Sequence, residues 1–349
     1  LNGTGTPNRA STTGWFRYST TNPGTCNDVF GSRAPLTSGT ALGSGTTSVP
    51  YSQSVGGLSG GTTYYYCAIV SSSEGTAFGS VRSFTTAGPP VVTTSAASGL
   101  SASGATLNGS GTPNGAATTG WFRYDTSSPA ACNDAFGLRA PSSSGTALGS
   151  GTSSVPYAQS VGGLLPGTKY SYCAIAQNAY GLAYGELQSF TTPALAPTVN
   201  TGSASATSGT GATLQATANP NGDATTGWFR YAPASPGTCN DTFGTKVGGS
   251  ALGAGTSYSA FSQAVTGLTP ATTYYYCALG SNALGLSVGT VRSFTTPSAP
   301  TATTEAASSF TASSAVLNGT GTPNRASTTG WFRYTITPPS SADAARSPR

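Results

Sequence analysis

The chain of 349 residues has no histidine and no methionine, and only 7% of it is charged. Without imidazole there is no Ser-His-Asp or Cys-His nucleophile system and no imidazole metal ligand. The nine acids (Asp28, Glu74, Asp125, Asp134, Glu186, Asp223, Asp241, Glu305 and Asp343) are scattered singly. A calcium cage or a paired-carboxylate glycosidase site has little to work with, so no metal, no cofactor and no catalytic residue is expected. The formal net charge of +5 is a weak field spread along the chain, which argues against a nucleic-acid partner. No apolar run approaches the roughly 20 residues of a membrane-spanning helix. The chain does not open on Met and shows no signal peptide, so a processed N terminus or a fragment is expected. Leu, Ile, Val and Phe make up only about 15% of the residues, a level met in disordered chains when net charge is high. Here the charge is low, and 17 Tyr, 13 Phe and 4 Trp supply large buried area from few residues. Small domains with thin, aromatic cores are expected.

What is present is a repeat. The tetrapeptide Trp-Phe-Arg-Tyr occurs at Trp15, Trp121, Trp228 and Trp331, at near-equal intervals along the chain. Around it Leu1–Tyr18, Leu107–Tyr124, Leu214–Tyr231 and Leu317–Tyr334 align with few changes. Tandem copies of one unit suit rods, stalks, sheaths and adhesive surfaces better than enzymes. In the second unit, Val91–Thr94, Ala105–Gly109, Gly120–Asp125, Val155–Val161, Thr168–Ala176 and Glu186–Thr192 read as strands, with turns at Thr112–Gly115 and Leu165–Gly167. Six or seven short strands without helical period predict an all-β fold of tandem antiparallel sandwiches. Short Pro-rich linkers at Gly88–Pro90, Pro193–Pro197 and Pro297–Pro300 are semi-rigid, which predicts an extended rod. The parts are then 1–87 for sandwich repeat 1, which lacks its first strand, 90–193 for repeat 2, 197–297 for repeat 3, 300–334 for a partial repeat 4, and 335–349 for a non-repeat tail that reads as disordered or as a sequence artefact.

The segments Leu164-Leu-Pro-Gly-Thr-Lys-Tyr170 and Leu268-Thr-Pro-Ala-Thr-Thr-Tyr274 resemble the Leu-x-Pro-x-Thr-x-Tyr corner of fibronectin type III domains. Ala176–Gly181, Gly280–Gly285 and the Ser-Phe-Thr-Thr of Ser189–Thr192 and Ser293–Thr296 are similar to that family's next turn and final strand. The array looks most like bacterial surface-protein versions of the fold. It departs from the pattern in three ways. Repeat 1 has Leu58-Ser-Gly-Gly-Thr-Thr-Tyr64 without the Pro, the Trp sits on the third strand, and cysteines come in pairs. There is no Arg-Gly-Asp, so the resemblance does not imply integrin binding.

The pairs are Cys26/Cys67, Cys132/Cys173 and Cys239/Cys277, with closely similar spacing in the three repeats. In the resembled fold the two strands concerned are neighbours in one sheet, so a bond within each repeat is expected. Buried free thiols and a metal site are the other readings, although two thiolates without histidine fall short of the four ligands of a structural zinc. Disulfides imply an oxidising compartment, extracellular or at a cell surface. Strand parity adds a second expectation. If Tyr64 faces the core, so do Tyr66, Ala68 and Val70, while Tyr65, Cys67 and Ile69 face out. On the neighbouring strand Phe16 and Tyr18 face in and Trp15 and Arg17 face out. That outer face is unusually apolar. Either the loop Ser19–Ala41 folds back over it, or Trp15, Tyr65, Trp121, Trp228 and Tyr275 form a lateral contact surface or an aromatic platform for sugars. Arg17, Arg123, Arg230 and Arg333 are candidates to stack on neighbouring rings.

Asp28, Asp134 and Asp241 read as turn caps. Asn2, Asn108, Asn240 and Asn318 begin Asn-x-Ser/Thr sequons that a composition rich in Ser and Thr produces by chance. Gly-rich stretches such as Gly39–Gly45 lack Lys and a following helix and are not phosphate loops. At the ends, Pro300–Phe310 reads as a strand without a partner, a candidate donor for repeat 1 of the next molecule. The sequence thus predicts a non-enzymatic, extracellular structural array, part of a surface fibre, sheath or adhesin stalk, whose partners are its own copies or a cell-surface polymer. The alternative is carbohydrate- or ligand-binding accessory repeats of a secreted enzyme.

Overall fold

In Gly104–Thr112 the residues Ala105, Leu107, Gly109 and Gly111 alternate with Gly, Thr, Asn and Ser, and every second position is buried. This period of two suits a strand with one face against a core. The computed structural model describes residues 1–324 and 327–337, and among these the chain is all β. Repeat 1 holds β1 (Asn2–Gly5), β2 (Thr12–Ser19), β3 (Ser32–Ala34), β4 (Thr40–Gly43), β5 (Val49–Ser52), β6 (Thr63–Ser72), β7 (Gly75–Phe78) and β8 (Arg82–Thr85). Repeat 2 holds β9 (Val91–Ser101), β10 (Gly104–Thr112), β11 (Thr118–Asp125), β12 (Leu138–Ala140), β13 (Thr146–Gly149), β14 (Val155–Gly162), β15 (Lys169–Asn178), β16 (Gly181–Tyr184) and β17 (Gln188–Thr191). Repeat 3 holds β18 (Thr198–Thr201), β19 (Ser205–Ser208), β20 (Gly211–Asn219), β21 (Thr225–Ala232), β22 (Thr245–Gly253), β23 (Ser259–Thr266), β24 (Thr273–Asn282), β25 (Gly285–Val288) and β26 (Arg292–Thr295). The partial fourth repeat contributes β27 (Thr301–Ser308) and β28 (Val316–Thr322). The chain divides into two compact units, Leu1–Leu164 with Thr168–Thr192, and a second that starts at Pro193 and takes in Leu165–Gly167.

Each complete repeat packs a three-stranded sheet against a four-stranded one. In repeat 2 the order is β14-β10-β9 facing β12-β11-β15-β16, with β13 also on β11 and β17 also on β15. Repeat 3 has the same order, its first strand split into β18 and β19 and its edge strands merged as β22. All pairs are antiparallel, and this tandem fibronectin type III-like sandwich is the arrangement the corner motif implies. The short β12, β13 and β16 are additions to the strands read from the sequence. Their three or four residues lie among Ser and Gly, and the ladder to β11 and β15 defines them, not local propensity.

Aromatic rings fill the space between the sheets. Phe122 lies 4.9 Å from Tyr157 and the Tyr170 ring stacks on Phe190 at 5.6 Å. The Tyr157 hydroxyl donates to the Ile175 carbonyl at 2.9 Å, so its burial leaves no polar atom stranded. The sheets approach so closely at Gly109 that a Cβ there would sit 2.8 Å from that of Ala174. This explains why the matching positions are Gly3, Ala216 and Gly319.

Two expectations about the ends meet the structure differently. Repeat 1 has only β1 and β5 in its first sheet, as the missing opening strand requires. The strand within Pro300–Phe310 is not without a partner: β27 pairs with β28 from Thr301↔Thr322 to Ser308↔Val316. The two segments are joined by a short turn, and a local ladder forms before any distant one. Of the tail, Thr335 to Thr337 are exposed, and the expectation of disorder for 338–349 lies outside the described residues.

The corner tyrosines are buried, Tyr170 at 6% and Tyr274 at 7% exposure. The Tyr274 hydroxyl accepts the Thr269 amide at 3.0 Å, and Tyr64 does the same for Ser59. Replacing Tyr274 by Phe leaves that amide without its acceptor and should cost on the order of 1 kcal/mol, read from the shift in the denaturant midpoint of repeat 3. An unchanged midpoint would show that water replaces the hydroxyl without loss.

Candidate functional site

Parity places two sets of side chains on opposite sides of β2, β11 and β21. Phe16, Phe122 and Phe229 enter the main core, and Trp15, Trp121 and Trp228 go to the other face. There they meet Cys67 and Ile69, Cys173 and Ile175, or Cys277 and Leu279 from the neighbouring strand. The loop after the Trp strand folds back as a roof. It brings Phe30, Phe136 or Phe243 onto the indole and ends in a disulfide. The three bonds are Cys26–Cys67, Cys132–Cys173 and Cys239–Cys277, with Cα atoms 6.0, 6.0 and 6.1 Å apart. Under the roof the indoles are 8%, 5% and 6% exposed.

A polar brace surrounds each indole. Trp15 Nε1 donates to Asp28 Oδ1 at 2.8 Å, and Arg17 Nε donates to the same oxygen at 3.0 Å. The pairs Trp121/Arg123 on Asp134 and Trp228/Arg230 on Asp241 repeat this at 2.8 to 3.1 Å. Arg Nη1 then reaches the loop carbonyl of Gly31, Gly137 or Gly244. Over the other side of each ring sits a second cation: Arg33 at 4.6 Å, Arg139 at 4.7 Å and Lys246 at 4.0 Å from the centroid. Desolvation raises the pKa of Asp28 and Asp241. The bonds from Trp and Arg and the nearby cations outweigh it and hold both carboxyls below the ordinary value.

This geometry corrects three readings of the sequence. Trp15, Trp121 and Trp228 do not form a surface platform, because the roof leaves only an edge of each ring in contact with solvent. Tyr65 and Tyr275 are half-buried, and repeat 2 has the buried Ser171 in their place. Arg17, Arg123 and Arg230 do not stack on the rings. Their side chains run to the carboxylate, and the stacking cation comes from the next strand. Asp28, Asp134 and Asp241 are not turn caps either. Asn27, Asn133 and Asn240 cap the turns, accepting amides such as Val29, Ala135 and Thr242 at 2.9 to 3.0 Å. Arg33, Arg139 and Lys246 were not singled out from the sequence. The available signal was a cation at one constant offset after each Trp, recurring as Arg, Arg and Lys. Trp331 is 74% exposed and lacks this roof.

No family model matches the chain, and no curated protein matches it. Among solved structures it is similar to the FN1–FN3 domains of chicken CNTN1, at 14% identity over 82% of this chain and 88% of that one, with a TM-score of 0.25. So low a score carries no argument, and the fold rests on the strand order above. Among the described residues no group of His, Cys, Asp or Glu is placed to hold a metal, and no helix is long and apolar enough to cross a membrane.

Two outcomes follow for the brace. Replacing Asp134 by Ala leaves the buried indole N–H of Trp121 without an acceptor. It should destabilise repeat 2 by about 1–3 kcal/mol, seen by calorimetry as one transition moving while the others stay. The lowered pKa of Asp28 and Asp241 means that the unfolded chain takes up protons first as pH falls. Their stabilising effect is complete above about pH 4–5 and is lost as pH drops through the folded values. A titration of Tm should show this loss, and it should be smaller for an Asp241→Asn variant.

Proposed function

We propose that the chain is a structural repeat protein of the extracellular space, a building block of a surface fibre, sheath or adhesin stalk, and not an enzyme. One observation carries this reading. In each complete repeat the chemically conspicuous residues (Trp, two cations, Asp and a cystine) bond to one another and hold a loop against a sheet. The arrangement recurs in three copies with bonds to the carboxylate of 2.8 to 3.1 Å, which is what a mechanical module requires of its parts. A covalent tie across a loop of about 40 residues is worth roughly 4 kcal/mol in the chain-entropy model, a large share of the stability of a domain with so thin a core. Three such ties fit a protein secreted or held at a surface, where thiols stay oxidised.

The carbohydrate-binding alternative would need rings that face solvent, and burial of the three indoles leaves Tyr65 and Tyr275 as its remaining candidates. Reduction separates the two readings. Under a structural role, reducing agent should lower the melting temperature of all three complete repeats and lower the protease resistance of the chain. Electron micrographs of the oxidised protein should show elongated particles or filaments. Specific retention on an insoluble polysaccharide, lost on changing Tyr65 and Tyr275 to Ala, would contradict this role and favour the accessory-module reading.

A further inference from the structure

Repeats 2 and 3 show how an opening strand is held. Thr94 and Thr201 are buried, and their hydroxyls accept the Ala174 and Ala278 amides of the opposite sheet at 3.0 and 3.1 Å. In return the Tyr172 hydroxyl donates to the Ser95 carbonyl at 2.5 Å, and that of Tyr276 to Gly202 at 2.6 Å. Val92 and Val199 pack on the core beneath. The opening strand is thus fixed by a ladder on one edge and by two hydrogen bonds that cross the sandwich.

Repeat 1 has the receiving groups. Ala68 stands where Ala174 and Ala278 do, and Tyr66 where Tyr172 and Tyr276 do. Among the described residues no opening strand meets them. A groove remains, lined by Leu1, Val55, Leu58, Tyr66 and Phe84. Tyr66 is only half-buried there, whereas Tyr172 and Tyr276 are fully covered. The free edge of β1 lies beside this groove, since β1 pairs only with β5.

A strand that fits is β27. Thr304 occupies the register place of Thr94, and Ala302 that of Val92. All eight residues of β27 are exposed, because the hairpin with β28 has no second sheet to lie on. The residues of β28 then decide the matter. Leu317–Tyr334 repeats Leu1–Tyr18 residue for residue. The ladder Thr301↔Thr322, Thr304↔Gly319 and Glu305↔Asn318 is therefore available unchanged on β1, as Thr301 with Thr6, Thr304 with Gly3 and Glu305 with Asn2. Moving β27 from β28 to β1 conserves the ladder and adds the groove and the two cross-sandwich bonds.

We propose that the groove of repeat 1 is a strand-receiving site and that its occupant is β27 of a second copy of this chain. Thr304 then accepts the Ala68 amide, and the Glu305 carbonyl accepts the Tyr66 hydroxyl. The contact is heterologous and does not close on itself, so it extends chains head to tail. The proposal rests on the structural reading above and adds the partner.

The test is light scattering on the full chain across a concentration series. The expected result is growth from one-chain mass to dimers and longer species. Ala302→Arg should abolish the growth: the side chain is exposed in its own hairpin but would bury a charge in the groove. Fusing a copy of Pro90–Ser103 before Leu1 should abolish it as well, by filling the groove within the chain. In the Ala302→Arg protein, a synthetic Pro300–Phe310 peptide should slow hydrogen exchange at the Ala68 amide. A full chain that keeps one-chain mass at every concentration overturns the proposal, as does growth that Ala302→Arg leaves unchanged. Either result leaves the melting behaviour of the braced repeats untouched, so failure here is separable from failure of the structural reading.

Discussion

A sheet that is apolar on both faces must be covered twice. That constraint organises each complete repeat. The strand pair β11 and β15 presents Phe122, Tyr172 and Ala174 to one side and Trp121, Cys173 and Ile175 to the other. The first side is covered by the three-stranded sheet, the ordinary solution of a sandwich. The second has no sheet to cover it, and the loop between β11 and β12 has too few apolar residues to close over it by burial alone. It carries one Phe and is otherwise rich in Ser, Pro, Ala and Asn. The disulfide, the Trp–Asp–Arg bonds and the stacked cation supply what hydrophobic contact cannot. Each acts on a different part of the loop, so the roof is fixed at several points.

The order of these effects matters. The ion pair between Arg123 and Asp134 is over a third exposed on its acidic side, and on its own such a pair contributes little. Its value is geometric, since one carboxylate oxygen receives both the guanidinium and the indole. The covalent tie limits how far the loop can stray in the unfolded chain, and the polar contacts then select one position for it. Repeat 3 replaces the stacking Arg with Lys246 and keeps the rest, which shows that the ring needs a cation over its face and not a particular fork of donors.

Much of this was legible in the sequence. The repeat followed from four copies of Trp-Phe-Arg-Tyr, the inward and outward sets from the parity of Tyr64 to Val70, and the pairing from the near-constant spacing within each pair of cysteines. The clusters around Phe16 and Trp15 hold the residues that parity assigns to each side. The brace was not legible. An Asp after Cys-Asn has the form of a turn cap, and only three-dimensional closure of the loop shows that the preceding Asn takes that role while the Asp reaches an indole on the strand before the loop. The three-residue strands were missed for a related reason, because their identity comes from a partner strand. The pairing of β27 with β28 follows from proximity along the chain, which a search for a distant acceptor passes over.

The central claim is that the roof shields three of the four tryptophans and that the disulfide holds it there. Quenching of tryptophan fluorescence by acrylamide measures this directly. In the oxidised protein one indole in four, that of Trp331, should be open to the quencher, with Trp15, Trp121 and Trp228 protected, and mild reduction should open those three. Ready quenching of all four in the oxidised state would contradict the account and return the outer face to an open aromatic surface.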